Sequence, residues 1–241
     1  MSPTSRAWRR HLVGPGTWLY QPDRGYRVAM DPFLLAGWVI GRGVPRTAID
    51  AGSGSGILAL MLARAGAQVV GVDVNPEWMQ WSTRSAEESG LSERARFVTS
   101  DLRLWHGPQV DLVVSNPPYF SPGTGAAPAD TMRAQARHAL CGDLQELIPR
   151  MTQLAPRVAL VLPIHKEAEA RRILESCGHP VTATLQLHPR LVLLEGSSVG
   201  GVVHAESAPL RANGCHHPKV RQLYHSAGAF LSGSSTIPQT L

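Results

Sequence analysis

Cysteine is scarce: Cys141, Cys177 and Cys215 are the whole supply in 241 residues. An odd number with no paired spacing excludes a disulfide framework and a four-cysteine zinc site. Cys215, His216 and His217 stand side by side, but adjacent loop side chains rarely converge on one ion and no second ligand pair accompanies them, so no metal is expected. Long apolar runs are missing too. No window reaches the roughly 18 consecutive apolar residues of a membrane span, and the start MSPTSRAWRRHLVG lacks the apolar centre of a secretory signal. A cytoplasmic location without membrane contact is the expectation. Charged residues are few at 17% against 43% hydrophobic, which fits a packed globular chain and not a disordered one. Acids are the scarcer sign, 18 against 23 bases, giving a net charge of +5 and a pI near 9.6. That balance is compatible with a polyanionic partner. Arg6, Arg9, Arg10, Arg24 and Arg27 face only Asp23 within the first 30 residues and read as a basic arm.

The middle of the chain alternates short β-branched runs with longer helical patterns. TAID (47–50) leads into GILALMLARAG, QVVGVDV (68–74) into PEWMQWSTRSAEESG, and RVALVLP (157–163) into HKEAEARRILESCG; ARFVTSD (95–101), VDLVVSN (110–116) and DLQELIPRMTQLA (143–155) lie between. Such alternation predicts an α/β fold with a mostly parallel sheet, right-handed crossovers and helices on both faces. Strands apolar on both faces agree with that. TATLQLHP, LVLLEGSS and GGVVHAESAPL read as late strands, two of them expected antiparallel to the rest. The Gly/Pro-rich IGRGVPR marks a boundary near residue 46, so residues 1–45 are expected to form an arm or helical segment, 46–225 the main domain and 226–241 a disordered tail.

After the first core strand comes Asp50-Ala51-Gly52-Ser53-Gly54-Ser55-Gly56, opening into a helix. A dinucleotide loop reads G-x-G-x-x-G and lays its helix N-terminus on a pyrophosphate. Here the pattern is D-x-G-x-G-x-G, and an acid beside a pyrophosphate is repulsive. Beside the cationic amino group of a sulfonium cofactor it is attractive. The next strand ends on Asp73 and Val74, where a carboxylate can accept from ribose hydroxyls. The third ends on Asp101, which can take the exocyclic amine of an adenine while Leu102 packs on the ring. Each acid alone could cap a helix. Together with Gly52, Gly54 and Gly56 they point to S-adenosylmethionine.

The fourth strand ends Asn116-Pro117-Pro118-Tyr119-Phe120. Prolines end a strand abruptly and stiffen its corner. An exocyclic amine is a poor nucleophile because its lone pair is delocalised. The Asn116 side-chain oxygen and the Pro117 carbonyl can accept its two N–H groups, with Pro118 holding the corner. Tyr119, and beside it Phe120, offers a face on which a planar base or amide can stack. Arg133 and Arg137 lie four apart on an expected helix and can grip phosphates flanking an extruded base. Trp78 and Trp81 read as packing, and Asp31 as a helix cap followed by Pro32.

Over residues 45–165 the chain resembles the Rossmann-like class I methyltransferases, which implies a seven-stranded sheet. The flanks are similar to the tRNA adenine N6-methyltransferases that modify valine tRNA beside the anticodon. The stretch from Gln21 to Ala36, with Gly25-Tyr26-Arg27 and Asp31, carries that likeness, as do Arg133-x-x-x-Arg137-His138, His188-Pro189, LVLLEGSSVGG and Val220-Arg221-Gln222-Leu223-Tyr224. Ala139 departs from the family's acid after Arg-His. The resemblance implies N6-methylation of adenine in RNA, most directly tRNA, by a monomer or dimer, with residues 1–45 helping to cover the cofactor. Protein glutamine methylation of the release-factor type, guanine N2 methylation of ribosomal RNA, and an inactive RNA-binding module are the rivals. Release-factor enzymes carry a longer N-terminal helical domain than residues 1–45 supply.

Overall fold

The structure is a computed structural model that describes residues 7–23, 28–117 and 143–230. Its centre is an eight-stranded sheet. In chain order the strands are β3 (Thr47–Ala51), β4 (Gln68–Asp73), β5 (Ala95–Thr99), β6 (Leu112–Ser115), β7 (Arg157–Pro163), β8 (Val181–His188), β9 (Leu191–Ser197) and β10 (His204–Pro209). They lie side by side as β10-β8-β9-β7-β6-β3-β4-β5. All pairings are parallel except those of β9 with β7 and β8.

Two sequence expectations are corrected here. The sheet has eight strands because β10 adds to the outer edge of β8, and only β9 runs against the rest. The reversal follows from a tight turn: Arg190 N donates to Leu187 O across the β8–β9 connection, and so short a link can join only antiparallel neighbours.

Side chains alternate between two cores with the period of two that a pleated strand imposes. On β7, Val158, Leu160 and Leu162 enter one core while Ala159 and Val161 enter the other. Helices α4 (Leu144–Leu154) and α5 (Glu167–Ser176) cover the first core. Helices α1 (Asp31–Gly41), α2 (Ile57–Arg64), α3 (Pro76–Glu88) and α6 (Pro218–Ser226) gather on the second. Where α1 meets α6, a Cβ on Gly37 would lie 1.8 Å from the Leu223 carbonyl oxygen, so only glycine permits that approach.

The amino-terminal stretch forms a hairpin of β1 (Trp8–Gly14) and β2 (Thr17–Pro22), which the sequence reading did not anticipate. It is docked on α3 by backbone donors that would otherwise lie on an open strand edge. Trp18 N and Tyr20 N donate to Ser89 Oγ and Ser85 Oγ at 2.9 and 3.0 Å. Trp8 stacks on Trp81 and meets Trp78 edge-on, so these tryptophans do pack as read. The basic arm is less free than the sequence suggests: Arg9 pairs with Asp23, and Arg10 pairs with Glu88 and lies over Trp18. Two-residue strands β11 (Arg211–Ala212) and β12 (Cys215–His216) pair ahead of α6, whose cap is His217 Nδ1 accepting from Lys219 N. That histidine serves the helix, and no group of three metal-binding side chains exists among the described residues. Among them, likewise, no helix is long and apolar enough to cross a membrane.

Candidate functional site

Strands β3 to β7 run parallel, so their carboxyl ends share one rim, where open α/β sheets bind ligands. A narrow cleft opens there. Its walls include Gly52 after β3, Asp73 and Val74 at the end of β4, Asp101, Leu102 and Arg103 after β5, Ser115 and Pro117 at the end of β6, and Leu147 and Met151 of α4.

The glycine loop after β3 turns at three left-handed positions: Gly52, Gly54 and Gly56 have φ of 72°, 49° and 79°. Non-glycine residues rarely take that region. Gly56 is further constrained, since a Cβ there would approach the Phe97 ring and Ser82 Cβ within 2.9 Å.

Asp50 does not line the cleft. It is fully buried beneath the loop, where its Oδ2 accepts from Ser53 Oγ at 2.8 Å and from Ala59 N at 3.1 Å, in the first turn of α2. The acid therefore caps that helix from the neighbouring strand, favourably placed against the helix dipole. Its Oδ1 is buried with no hydrogen-bond partner. Burial pushes the Asp50 carboxyl up to about 7, a rise that Ser53 and Ala59 oppose and Asp73 augments. The folded chain therefore holds a proton that the unfolded chain releases at lower pH. Stability from this group is full below about pH 4 and is lost as pH rises toward 7. Thermal unfolding from pH 5 to 8 checks this. The wild-type midpoint should fall relative to that of Asp50→Asn, and parallel curves would contradict it.

Asp73 joins β4 to the loop. Its Oδ2 accepts from Gly54 N at 2.8 Å and its Oδ1 from Asn75 N at 2.9 Å. Burial raises this carboxyl above the usual range, and those backbone donors oppose the shift. Asp101 sits on the turn after β5, held below the usual carboxylate range chiefly by the hydrogen-bonded Arg103 guanidinium. Leu102 is buried in the cleft wall. Asn116 follows β6 directly, half-buried, and Pro117 behind it is buried.

Thus the rim gathers Gly52, Asp73, Val74, Asp101, Leu102 and Pro117 around one cleft, with Asn116 beside it and Asp50 below. Pro118, Tyr119, Phe120, Arg133 and Arg137 lie outside the described residues. Asp31 is not a cap: Met30 occupies that place, and Asp31 begins α1 as a buried acid with an unpartnered Oδ1. Ser115 was missed by sequence reasoning. It is buried, and its Oγ donates to Ala51 O at 2.7 Å, tying the Asn-Pro corner to the strand that carries the glycine loop. Its position one residue before Asn116 was the available signal. Arg103 was missed as well.

Comparison with known proteins agrees with this geometry. Residues 48–146 match the methyltransferase domain family. The chain is 37% identical over 159 residues to a tRNA1(Val) (adenine(37)-N6)-methyltransferase of Tolumonas auensis, covering 63% of this chain and 65% of that protein. It is 38% identical over 145 residues to the protein of that name from Edwardsiella ictaluri, covering 57% and 58%. The chain thus aligns with less than two thirds of the length of these relatives. Among solved structures, a predicted O-methyltransferase from Agrobacterium tumefaciens superposes with a TM-score of 0.60 at 18% identity, covering 83% of this chain and 98% of the other. A ribosomal protein L11 methylase from Lactobacillus delbrueckii subsp. bulgaricus gives 0.53 at 20%, covering 68% and 77%. Sheet order and solved neighbours together give this chain the Rossmann-like fold seen in class I methyltransferases, and its residues 48–146 match the methyltransferase domain model.

Proposed function

We propose that this protein is an S-adenosylmethionine-dependent N6-adenine methyltransferase acting on RNA, with tRNA as substrate. The observation that carries this reading is the convergence of a left-handed glycine loop, Asp73, Asp101 and the Asn116-Pro117 corner on one rim. The relatives named for adenine-N6 methylation of tRNA supply the substrate.

The residues fit the cofactor. The loop glycines let the cationic amino group approach the backbone, while Asp50 beneath them holds the shape of the loop through Ser53 and Ala59. Asp73 has acceptor capacity beyond its two backbone donors for a ribose diol. Asp101 would take the adenine amine, with Val74 and Leu102 against the ring. When bound, S-adenosylmethionine supplies an electrophilic methyl group on a sulfonium. The work of the chain is placement. Asn116 Oδ1 and the Pro117 carbonyl accept the two N–H groups of the target amine and leave its lone pair facing the methyl carbon. Ser115, anchored to Ala51, keeps that corner at a fixed distance from the glycine loop. Proton loss after transfer needs no strong base.

In this reading Tyr119 and Phe120 stack on the extruded adenine, Pro118 stiffens their approach, and Arg133 and Arg137 grip flanking phosphates. Residues 1–45 help cover the cofactor beside the 46–225 domain, and the enzyme works as a cytoplasmic monomer without metal. Residues 226–230 are no tail, since Ser226 closes α6 and Phe230 N donates to Val13 O.

Labelled cofactor offered with bulk tRNA and with release factors tests the substrate. Label should enter tRNA, and label confined to protein would defeat the proposal. Asp73→Ala should weaken cofactor binding roughly 10- to 100-fold, the loss of about 1.5–3 kcal/mol expected when charge-assisted hydrogen bonds go. An unchanged dissociation constant by calorimetry would remove Asp73 from the cofactor site.

A further inference from the structure

Arg103 stands on the turn after β5 and joins two walls of the cleft. Its Nε lies 3.0 and 3.1 Å from Asp101 Oδ1 and Oδ2, and its Nη2 lies 2.6 Å from Oδ2. Its backbone N donates to Oδ1 at 3.0 Å. The outer nitrogen, Nη1, reaches across to Glu146 Oε2 on α4 at 3.1 Å. Arg103 itself lines the cleft beside Asp101 and Leu102, and Leu147, next to Glu146, lines the facing wall.

An ion pair this exposed contributes little to stability. Its effect lies in what it does to the carboxylate. An ionised carboxyl offers about four lone-pair sites and donates nothing. Here the Arg103 backbone amide and Nε occupy Oδ1, Nη2 occupies Oδ2, and the single Nε hydrogen is shared between the two oxygens, so the acceptor capacity that remains lies on Oδ2. The paired guanidinium also fixes the plane of the carboxylate.

We propose that Arg103 makes the nucleoside end of the cleft select a 6-amino purine over a 6-oxo purine. This rests on the reading of the cleft as an S-adenosylmethionine site. With the guanidinium in place, Asp101 offers only an acceptor, which matches the N–H of an amino group and repels the oxygen of an oxo group. Without it, the carboxylate is free to turn away from the purine edge, so its attraction for an amino group and its repulsion of an oxo group weaken together. Glu146 steadies the guanidinium from the opposite wall.

Calorimetric dissociation constants of S-adenosylhomocysteine and S-inosylhomocysteine decide the matter, measured on the full chain and on Arg103→Ala, Arg103→Lys and Glu146→Gln. The wild type should prefer the adenosyl compound by at least about 100-fold, as a site built around a polar partner does. Arg103→Ala should narrow that ratio by about tenfold, Arg103→Lys should restore part of it, and Glu146→Gln should fall between wild type and alanine. General loosening of the turn would weaken both compounds alike and leave the ratio unchanged, which overturns the proposal. Tighter binding of both by Arg103→Ala also overturns it, because Arg103 would then be a plug. A wild type that binds neither compound defeats the cofactor reading itself, and this inference with it.

Discussion

Asn116→Ala is expected to cut methyl transfer by roughly 10²- to 10³-fold, the effect of removing one preorganised polar partner from a reacting group. Cofactor affinity should stay within about twofold, because Asp73, Asp101 and the glycine loop are untouched. The separation matters more than the size. Asn116 follows β6 on the side of the rim away from β4 and β5, and Pro117 holds its backbone. Single-turnover rates with tRNA, beside calorimetry with S-adenosylhomocysteine, read the two quantities separately. Equal losses in both would show that Asn116 serves the cofactor and not the amine.

The second large effect lies at the other end of the sheet. Glu195→Ala should destabilise the fold by about 3 kcal/mol, the lower end for removing one partner of a buried pair. Glu195 is 3% exposed on β9, and its carboxylate receives Arg157 Nε and Nη2, each at 3.1 Å. Arg42, 3.7 Å away and lying over Trp38, is a weaker third member. Without the acid, a half-buried arginine at the start of β7 loses its counter-charge. Against a total stability of about 5–15 kcal/mol this is a large fraction. Urea unfolding should show the shift while cofactor affinity is retained, and a change under about 1 kcal/mol would mean that water reaches Arg157 easily.

The rim was legible in the sequence because polar residues at the tips of apolar strands have few structural reasons to be there. Asp73 and Asn116 each end such a run, and both stand on the rim. Asp50 was legible as an acid before a glycine loop, but not as the cap of α2, because that role depends on how β3 and α2 pack. The Arg103 contact with Asp101 was hidden for a similar reason: an arginine two residues away has many rotamers, and the one adopted depends on Glu146, 43 residues on. Local pattern also failed at the hairpin. WRRHLVG carries two arginines and a histidine on one strand and reads as a solvated arm until Asp23 and Glu88 are brought opposite Arg9 and Arg10. The direction of β8 and the addition of β10 rest on long-range pairing, which composition does not encode.

A crystal structure with S-adenosylhomocysteine and an adenosine-containing oligonucleotide tests the central claim most directly. The adenine 6-amino nitrogen should sit within about 3 Å of both Asn116 Oδ1 and the Pro117 carbonyl oxygen, with the cofactor sulfur in line behind the methyl position. An amine held elsewhere on the rim, or a corner turned away from the sulfur, would contradict it.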